Sequence, residues 1–407
     1  ELFMVEIVKN TTSGSYVEHD APPKRSIRET AGFELVAGST KREVEKSPNI
    51  LNINLVVHIF SAVLAFILFL PQVRGFFLES GWRWAHILCL SFSISFFMNP
   101  VFAAIAKRMN ILDIPDARKL HKEATPLLGG AAVFFGFSLA LLTNGIFSKP
   151  IVVILIASLI LFAIGILDDI KEVPAGLKLL TQLACSLLVM SSGIILRVLP
   201  VDLGIFATIG NSFLTLFWII GIANAMNFFD GMDGLAAGLG AVISFFLGVV
   251  AFQTGQPFLG WVAIAMLGGC LGFLPFNFRL KKNAAIFLGD AGSVVIGFIL
   301  ACVAVYGDWA QGNPVVALVS PVLIFWLLIF DMVHITVDRI LTGKVKNFRQ
   351  WIEYVGKDHL HHRLANVLGG RKQSVLFIYL LGVCLGTSAV VLRNARSTDA
   401  ILLLSLI

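Results

Sequence analysis

Residues 213–234 read FLTLFWIIGIANAMNFFDGMDG, and a second apolar run, Leu235–Phe252, follows at once. The window Phe213–Phe228 has nearly the length needed to cross a hydrocarbon core, and it ends in amides and carboxylates. Asn224, Asn227, Asp230 and Asp233 recur every third residue. A helix continued through them would carry one slowly rotating polar ridge, with Gly231 and Gly234 letting the chain bend. The stretch reads as a membrane helix running into a polar boundary, then turning back.

The rest of the chain repeats the pattern. Of its 407 residues 57% are hydrophobic and 14% charged, and the mean hydropathy is +0.86, which excludes a water-soluble globule. Apolar windows succeed one another from Val56–Val73 and Trp84–Ala106 to Val315–Val337 and Val375–Leu392. Val294–Tyr306 is short and needs Gly292 and Ser293, or a thinned bilayer, to span. The expected fold is an all-α polytopic bundle of about ten to twelve transmembrane helices over 52–407, preceded by a mobile, mixed-charge cytoplasmic segment over 1–51. The chain opens on Glu1 and closes on the apolar run Ala400–Ile407, so a fragment is expected at both ends. The five cysteines fall within apolar windows without CxxC spacing and read as packing residues.

Four further polar clusters sit at the ends of apolar windows: Ile114–Gly130 (IPDARKLHKEATPLLGG), Asp168 with Asp169, Phe287–Ser293 (FLGDAGS) and Asp358–Leu364 (DHLHHRL). Counting crossings puts all five clusters on one side. That side carries most of the loop Lys and Arg, among them Lys107, Arg118, Lys119, Lys178, Lys281, Arg339 and Arg363, and is therefore cytoplasmic. The net charge of +6 concentrates there and suits anionic headgroups and phosphates better than nucleic acid.

Each cluster has its own chemistry. Asp168 and Asp169 oppose the dipole of the helix they end, so something must compensate them; adjacent residues point about 100° apart, so the two serve different atoms. One reads as a base and the other as a holder of a lysine or ligand. Asp290 between Gly289 and Gly292 reads as a tight turn opening a helix, where free N–H groups favour phosphate and the carboxylate favours magnesium; the plainer alternative is an N-cap. The histidine string suggests zinc, but without cysteine nearby phosphate contact is the more economical reading. Asp331, His334 and Asp338 should face the bundle interior. Phe348, Trp351, Ile352 and Val355 recur at helical spacing and predict a short amphipathic helix in the cytoplasmic interface.

Taken together and in this order, the five clusters resemble the polyprenyl-phosphate N-acetylhexosamine-1-phosphate transferase superfamily, from about Trp84 to the C-terminus. The strings PDARKLH (Pro115–His121) and HLHHRL (His359–Leu364) are similar to the bacterial undecaprenyl-phosphate N-acetylglucosaminyl-1-phosphate transferases. The phospho-MurNAc-pentapeptide transferase branch, with three successive histidines and GTPTMGG where this chain has ATPLLGG, is the runner-up. The resemblance implies transfer of a sugar 1-phosphate from a UDP-N-acetylhexosamine to undecaprenyl phosphate at the cytoplasmic face of a bacterial inner membrane, with release of UMP. It implies Mg2+, with Mn2+ as the alternative, held by Asp290 and Asn227. By similarity the catalytic groups are Asp168, Asp169, Asp230, Asp233, His359 and His361. Substrate contacts are Arg118, Lys119, His121, Lys178, Asn224, His362 and Arg363. Membrane lipids are the other partner, no nucleic acid is involved, and a homodimer is admitted. The reading from another class is a proton-coupled transporter; its acids should lie at mid-membrane and at a repeat interface, and here they lie at helix ends without a repeat.

Overall fold

The computed structural model describes residues 55–115, 123–310, 313–347, 350, 356, 358–393 and 395–406. The N-terminal segment 1–51, the basic residues Arg118, Lys119 and His121, and the expected amphipathic helix at 348–355 therefore lie outside the described residues, Gln350 excepted. The regular structure among the described residues is α-helix apart from one two-residue hairpin and a 3-10 turn at Val201–Leu203, as expected of an apolar chain whose backbone groups have no water to bond.

The helices are α1 (Leu55–Phe69), α2 (Pro71–Glu79), α3 (Arg83–Arg108), α4 (Gly129–Thr143), α5 (Lys149–Ile170), α6 (Ala175–Ser191), α7 (Ile205–Phe228), α8 (Leu235–Gln253), α9 (Pro257–Asn277), α10 (Asp290–Tyr306), α11 (Pro314–Ile324), α12 (Trp326–Leu341), α13 (Leu360–Val367), α14 (Arg371–Leu392) and α15 (Ser397–Leu406). Among the described residues six are individually long and apolar enough to cross a membrane: α3, α5, α7, α8, α9 and α14. The pairs α1–α2 and α11–α12 would raise the number to eight. The expected ten to twelve crossings are reached only by adding short apolar helices such as α4, α6 and α10.

Two expected single spans are broken. Val56–Val73 ends at Phe69 and bends by 71° into α2, because Pro71 forces Leu70 out of the helical region (φ −65°, ψ 130°). Val315–Val337 bends by 77° at Phe325, where α11 gives way to α12, although the helix runs unbroken through Pro321. The short window Val294–Tyr306 is extended at its start by Asp290–Ser293, so Gly292 and Ser293 do belong to the helix.

α10 is the hub. All but three of its 17 residues are buried, among α4, α5, α7 and α8. With lipid outside there is no hydrophobic drive for helices to associate, so closeness depends on small residues. A Cβ on Gly130 of α4 would lie 2.3 Å from the Gly292 Cα, and one on Gly165 of α5 would lie 2.4 Å from the Ala291 Cα. α3 and α9 approach as closely at Gly268 and Gly272 and are also tied by hydroxyls: Ser91 Oγ donates to the Ala265 carbonyl (2.6 Å) and Ser95 Oγ to that of Gly269 (2.8 Å). Phe206, Phe213 and Phe217 of α7 and Phe60 and Phe66 of α1 point outward and are more than 60% exposed, a lipid-facing surface. All five cysteines are unpaired.

Strands β1 (Leu112–Asp113) and β2 (Thr125–Pro126) pair antiparallel and frame the loop between them. Just beyond β2 the backbone locks onto the segment before α10: Phe287 N donates to Pro126 O (2.8 Å), Gly129 N to Phe287 O (2.9 Å) and Gly130 N to Leu288 O (2.8 Å). The first and fourth polar clusters are thereby fastened to each other.

Candidate active site

α5 ends, α6 begins, α7 ends and α10 begins at one place. Lys178, in the first turn of α6, donates to Asp168 Oδ2 (2.5 Å) and to Asp290 Oδ2 (3.1 Å). Asn227, in the last turn of α7, donates its amide to Asp290 Oδ1 and to Ser293 Oγ, both at 3.0 Å. Three helix ends are thus held on the carboxylate that opens α10, and the compensating group expected for Asp168 is Lys178.

The two adjacent acids diverge, as helical geometry requires. Asp168 Oδ1 accepts from the Val173 N–H (2.8 Å) and its other oxygen meets Lys178. Asp169 turns inward and accepts the Asp290 N–H on Oδ1 (3.0 Å), capping α10 from a different helix, while its Oδ2 is buried without a partner among the described residues. Gly289 permits the approach: its φ is +74°, and a Cβ there would sit 2.6 Å from Asp169 Oδ2. The N–H groups expected to be free for phosphate are taken. Asp290 donates to Asp169, and both Gly292 and Ser293 donate to Gly289 O at 3.1 Å. The start of α10 is a carboxylate platform rather than a phosphate cradle.

The loop Phe229–Gly234 lies over this centre. Burial, and then the charges of Asp290, Asp169 and Asp233, hold the Asp230 carboxyl well above the usual carboxylate range. Asp233 is spent on architecture: its Oδ2 accepts the Ala284 N–H (3.1 Å). The Gly234 N–H donates to Asn277 Oδ1 (2.6 Å), and Tyr379 OH donates to Gly234 O (2.5 Å). Asn224 faces α6, in a reciprocal amide pair with Gln182 (2.6 and 3.3 Å). Gln182 escaped the sequence reading, although it stands one turn from Lys178 on the same face.

The histidine string arrives against the same loop. His361 packs on Phe229 with ring centroids 5.7 Å apart, and a Cβ on Gly231 would lie 2.7 Å from its Nε2. The His359 ring stacks on Phe228 (5.4 Å) and on His361 (5.6 Å). Both ring nitrogens of His361 are buried and without partners among the described residues. Burial, with the charges of His362 and His359, pushes its pKa down to about 3. His361 is therefore held as a neutral imidazole. Arg363 is more exposed, donating to Asp358 O (2.9 Å) and lying 3.5 Å from Asp338; the His362 ring lies 4.3 Å from that of His361.

The string is gripped by α12. Asp331, Ile335 and Arg339 form one buried stripe at four-residue spacing. Arg339 holds Asp358 with two bonds, Nε to Oδ2 (2.9 Å) and a terminal nitrogen to Oδ1 (2.8 Å), lowering that carboxyl to about 2. Asp331 holds His359 and Leu360 at 2.8 and 2.6 Å. Asp331 faces inward as expected; its partner was not legible.

Asp168 and Asp290 share one lysine, Lys178, and Asp169 adds a third carboxylate beside Asp290, a crowding of acids that a divalent cation relieves. Asp168, Asp290 and the Asn227 carbonyl oxygen are hard donors of the kind Mg2+ takes, and the ammonium bridging the two carboxylates marks a position of favourable cation potential. Among the described residues no three His, Cys, Asp or Glu side chains close into a ready cage. An ion held here by one or two carboxylates would be completed by phosphate and water.

Residues 151–308 match the model of glycosyl transferase family 4. The chain is 33% identical over 306 residues, 73% of its length and 82% of the relative's, to a probable undecaprenyl-phosphate N-acetylglucosaminyl 1-phosphate transferase of Bacillus subtilis. It is 32% identical over 342 residues (76% and 84%) to a decaprenyl-phosphate N-acetylglucosaminephosphotransferase of Mycobacterium leprae. It is 28% identical over 298 residues (70% and 77%) to the undecaprenyl-phosphate alpha-N-acetylglucosaminyl 1-phosphate transferase of Escherichia coli K12.

Proposed function

Because the chain belongs to the polyprenyl-phosphate N-acetylhexosamine-1-phosphate transferases of glycosyl transferase family 4, we propose that it moves N-acetylglucosamine 1-phosphate from UDP-N-acetylglucosamine to undecaprenyl phosphate. It is a multi-pass membrane enzyme that works at the cytoplasmic face of a bacterial inner membrane, the side its loop Lys and Arg favour. The observation that carries the reading is the convergence of Asp168, Lys178, Asn227 and Asp290 from four helices on one point at a helix-end boundary.

An oxygen of the lipid phosphate attacks the β-phosphorus, the bond from that phosphorus to the bridging oxygen breaks, and UMP leaves with the bridging oxygen; the product is a polyprenyl diphosphate carrying the sugar. Asp290, Asp168 and Asn227 would hold Mg2+, which would supply positive charge against the charge that builds on the pyrophosphate. Lys178 fixes the separation of Asp168 and Asp290 and adds its own positive charge. Asp168, held by Lys178, positions the attacking phosphate, while Asp169 keeps the α10 start in register. His359 presents a ring nitrogen to a phosphate oxygen, and Arg363 supplies charge at the rim. Asp230, whose carboxyl is pushed upward by burial and the neighbouring acids, contacts the donor from the loop after α7.

The test is UMP release by detergent-purified protein supplied with undecaprenyl phosphate and UDP-N-acetylglucosamine, with and without Mg2+, beside Asp290→Asn. Lipid- and Mg2+-dependent UMP that falls by about 100-fold or more in the variant is expected. Release only from UDP-MurNAc-pentapeptide would move the chain to the runner-up branch.

A further inference from the structure

We infer that Asp331 is a positioning residue that fixes the tautomer and direction of the His359 ring and so determines which nitrogen the substrate meets. The inference rests on the reading that His359 contacts a substrate phosphate. Asp331 lies on α12, its side chain 1% exposed, and a carboxylate so placed must be satisfied. It meets the histidine string with one oxygen per donor: Oδ2 lies 2.8 Å from His359 Nδ1, and Oδ1 accepts the Leu360 N–H at 2.6 Å.

The second bond limits what the first can do. His359 occupies the N-cap position of α13, yet its own side chain caps nothing. The Leu360 N–H, one of the donors any helix start leaves open, is capped by Asp331 from across the bundle. With Oδ1 committed to the backbone, the carboxylate cannot rotate away from the ring. A carboxylate only accepts, so Nδ1 must carry the proton, and Nε2 becomes the nitrogen available to a ligand. The ring plane is set independently by stacking on Phe228 at 28° and on His361 at 15°. Arg339, two turns along the same stripe, clamps Asp358 and prevents the string from sliding. Buried carboxylate, imidazole and phosphate then form a relay in which Asp331 stabilises positive charge on the ring whenever Nε2 donates.

Asp331→Asn separates this role from mere scaffolding. The amide oxygen still accepts the Leu360 N–H, while the amide NH2 now faces Nδ1 and forces the proton to Nε2. The expected result is a fall in kcat of about 100-fold or more, as when the carboxylate behind a catalytic histidine becomes an amide, with KM for both substrates changed less than about threefold. In a His359→Gln background the same substitution should then add nothing, because its effect passes through the ring. Multiplicative losses in the double variant, or a change confined to KM, would overturn the inference.

A measurement on the unsubstituted protein guards against a variant that fails to fold. With 15N-labelled histidine, the His359 resonances, assigned by their loss in His359→Gln, should show a protonated Nδ1; an unprotonated Nδ1 overturns the proposal. If the parent releases no UMP from any UDP-sugar, the functional reading has failed, and the tautomer measurement still decides the inference.

Discussion

Acidification should loosen this fold through His361, and the size of the effect follows from the ring's surroundings. In the unfolded chain its pKa is about 6.5; in the folded protein burial holds it at about 3. Folding therefore favours the neutral ring. Its contribution is fully present above about pH 6.5, declines as pH drops below that, and levels off near pH 3, where the folded state also takes up the proton. Between pH 7.5 and 5.5 the unfolded ring goes from about one-tenth to about nine-tenths protonated while the folded ring stays neutral, a loss of roughly 1.4 kcal/mol. The residue is 1% exposed, so solvent screening removes little of this. The assay is thermal unfolding of detergent-solubilised protein, followed by tryptophan fluorescence at the two pH values, for the parent and for His361→Leu. The parent's unfolding temperature should fall by a few degrees more than the variant's over that interval. Equal falls, or a steeper one in the variant, would show that His361 is not held neutral.

Two further substitutions test the frame around the site. Gly289→Ala combines a left-handed backbone with a methyl group 2.6 Å from Asp169 Oδ2, so a loss of about 1–3 kcal/mol is expected; an unchanged unfolding temperature would refute the tight approach of Asp169 to α10. Arg339→Met leaves the Asp358 carboxylate without its bidentate partner in a largely buried place, and a loss of about 3–5 kcal/mol is expected. Adding Asp358→Leu should restore much of that stability, and no recovery in the double variant would show that Arg339 acts through other contacts.

The sequence makes the class of fold and the list of polar groups legible, because both rest on short-range signals: apolar length, loop charge and cluster composition. The proline-driven break at Pro71 was also available locally, yet hydropathy smoothed over it, since a window average does not register the conformation a proline imposes on the residue before it. Pairings were not legible. That Asp169 caps α10, that Gln182 faces Asn224 and that Asp331 holds His359 each depend on contacts between residues 28 to 121 positions apart. The closing of the Asp290 N–H was hidden for the same reason: an open N–H can be inferred from helix geometry, but its capture by an acid on another helix cannot.

Those pairings explain why the site is assembled from helix ends. Inside hydrocarbon an ionised carboxylate is prohibitive unless paired, and in open water four carboxylates would bind a cation weakly. At the boundary the helix interiors stay apolar and close-packed, Gly130 on Gly292 and Gly165 on Ala291, while only the last turns carry charge. The packing that brings α4, α5, α7 and α8 around α10 therefore also brings Asp168, Asp169, Asn227 and Asp230 around Asp290. The acids repel one another, and the energy that keeps them together comes from the apolar contacts below them. Substitutions that loosen those contacts should accordingly disperse the site before they unfold the bundle. Enlarging Gly165, whose Cβ would press on Ala291 one residue from Asp290, is expected to reduce activity more than it lowers the unfolding temperature. Equal losses of both would mean that the charged centre is held by its own hydrogen bonds rather than by the helices beneath it.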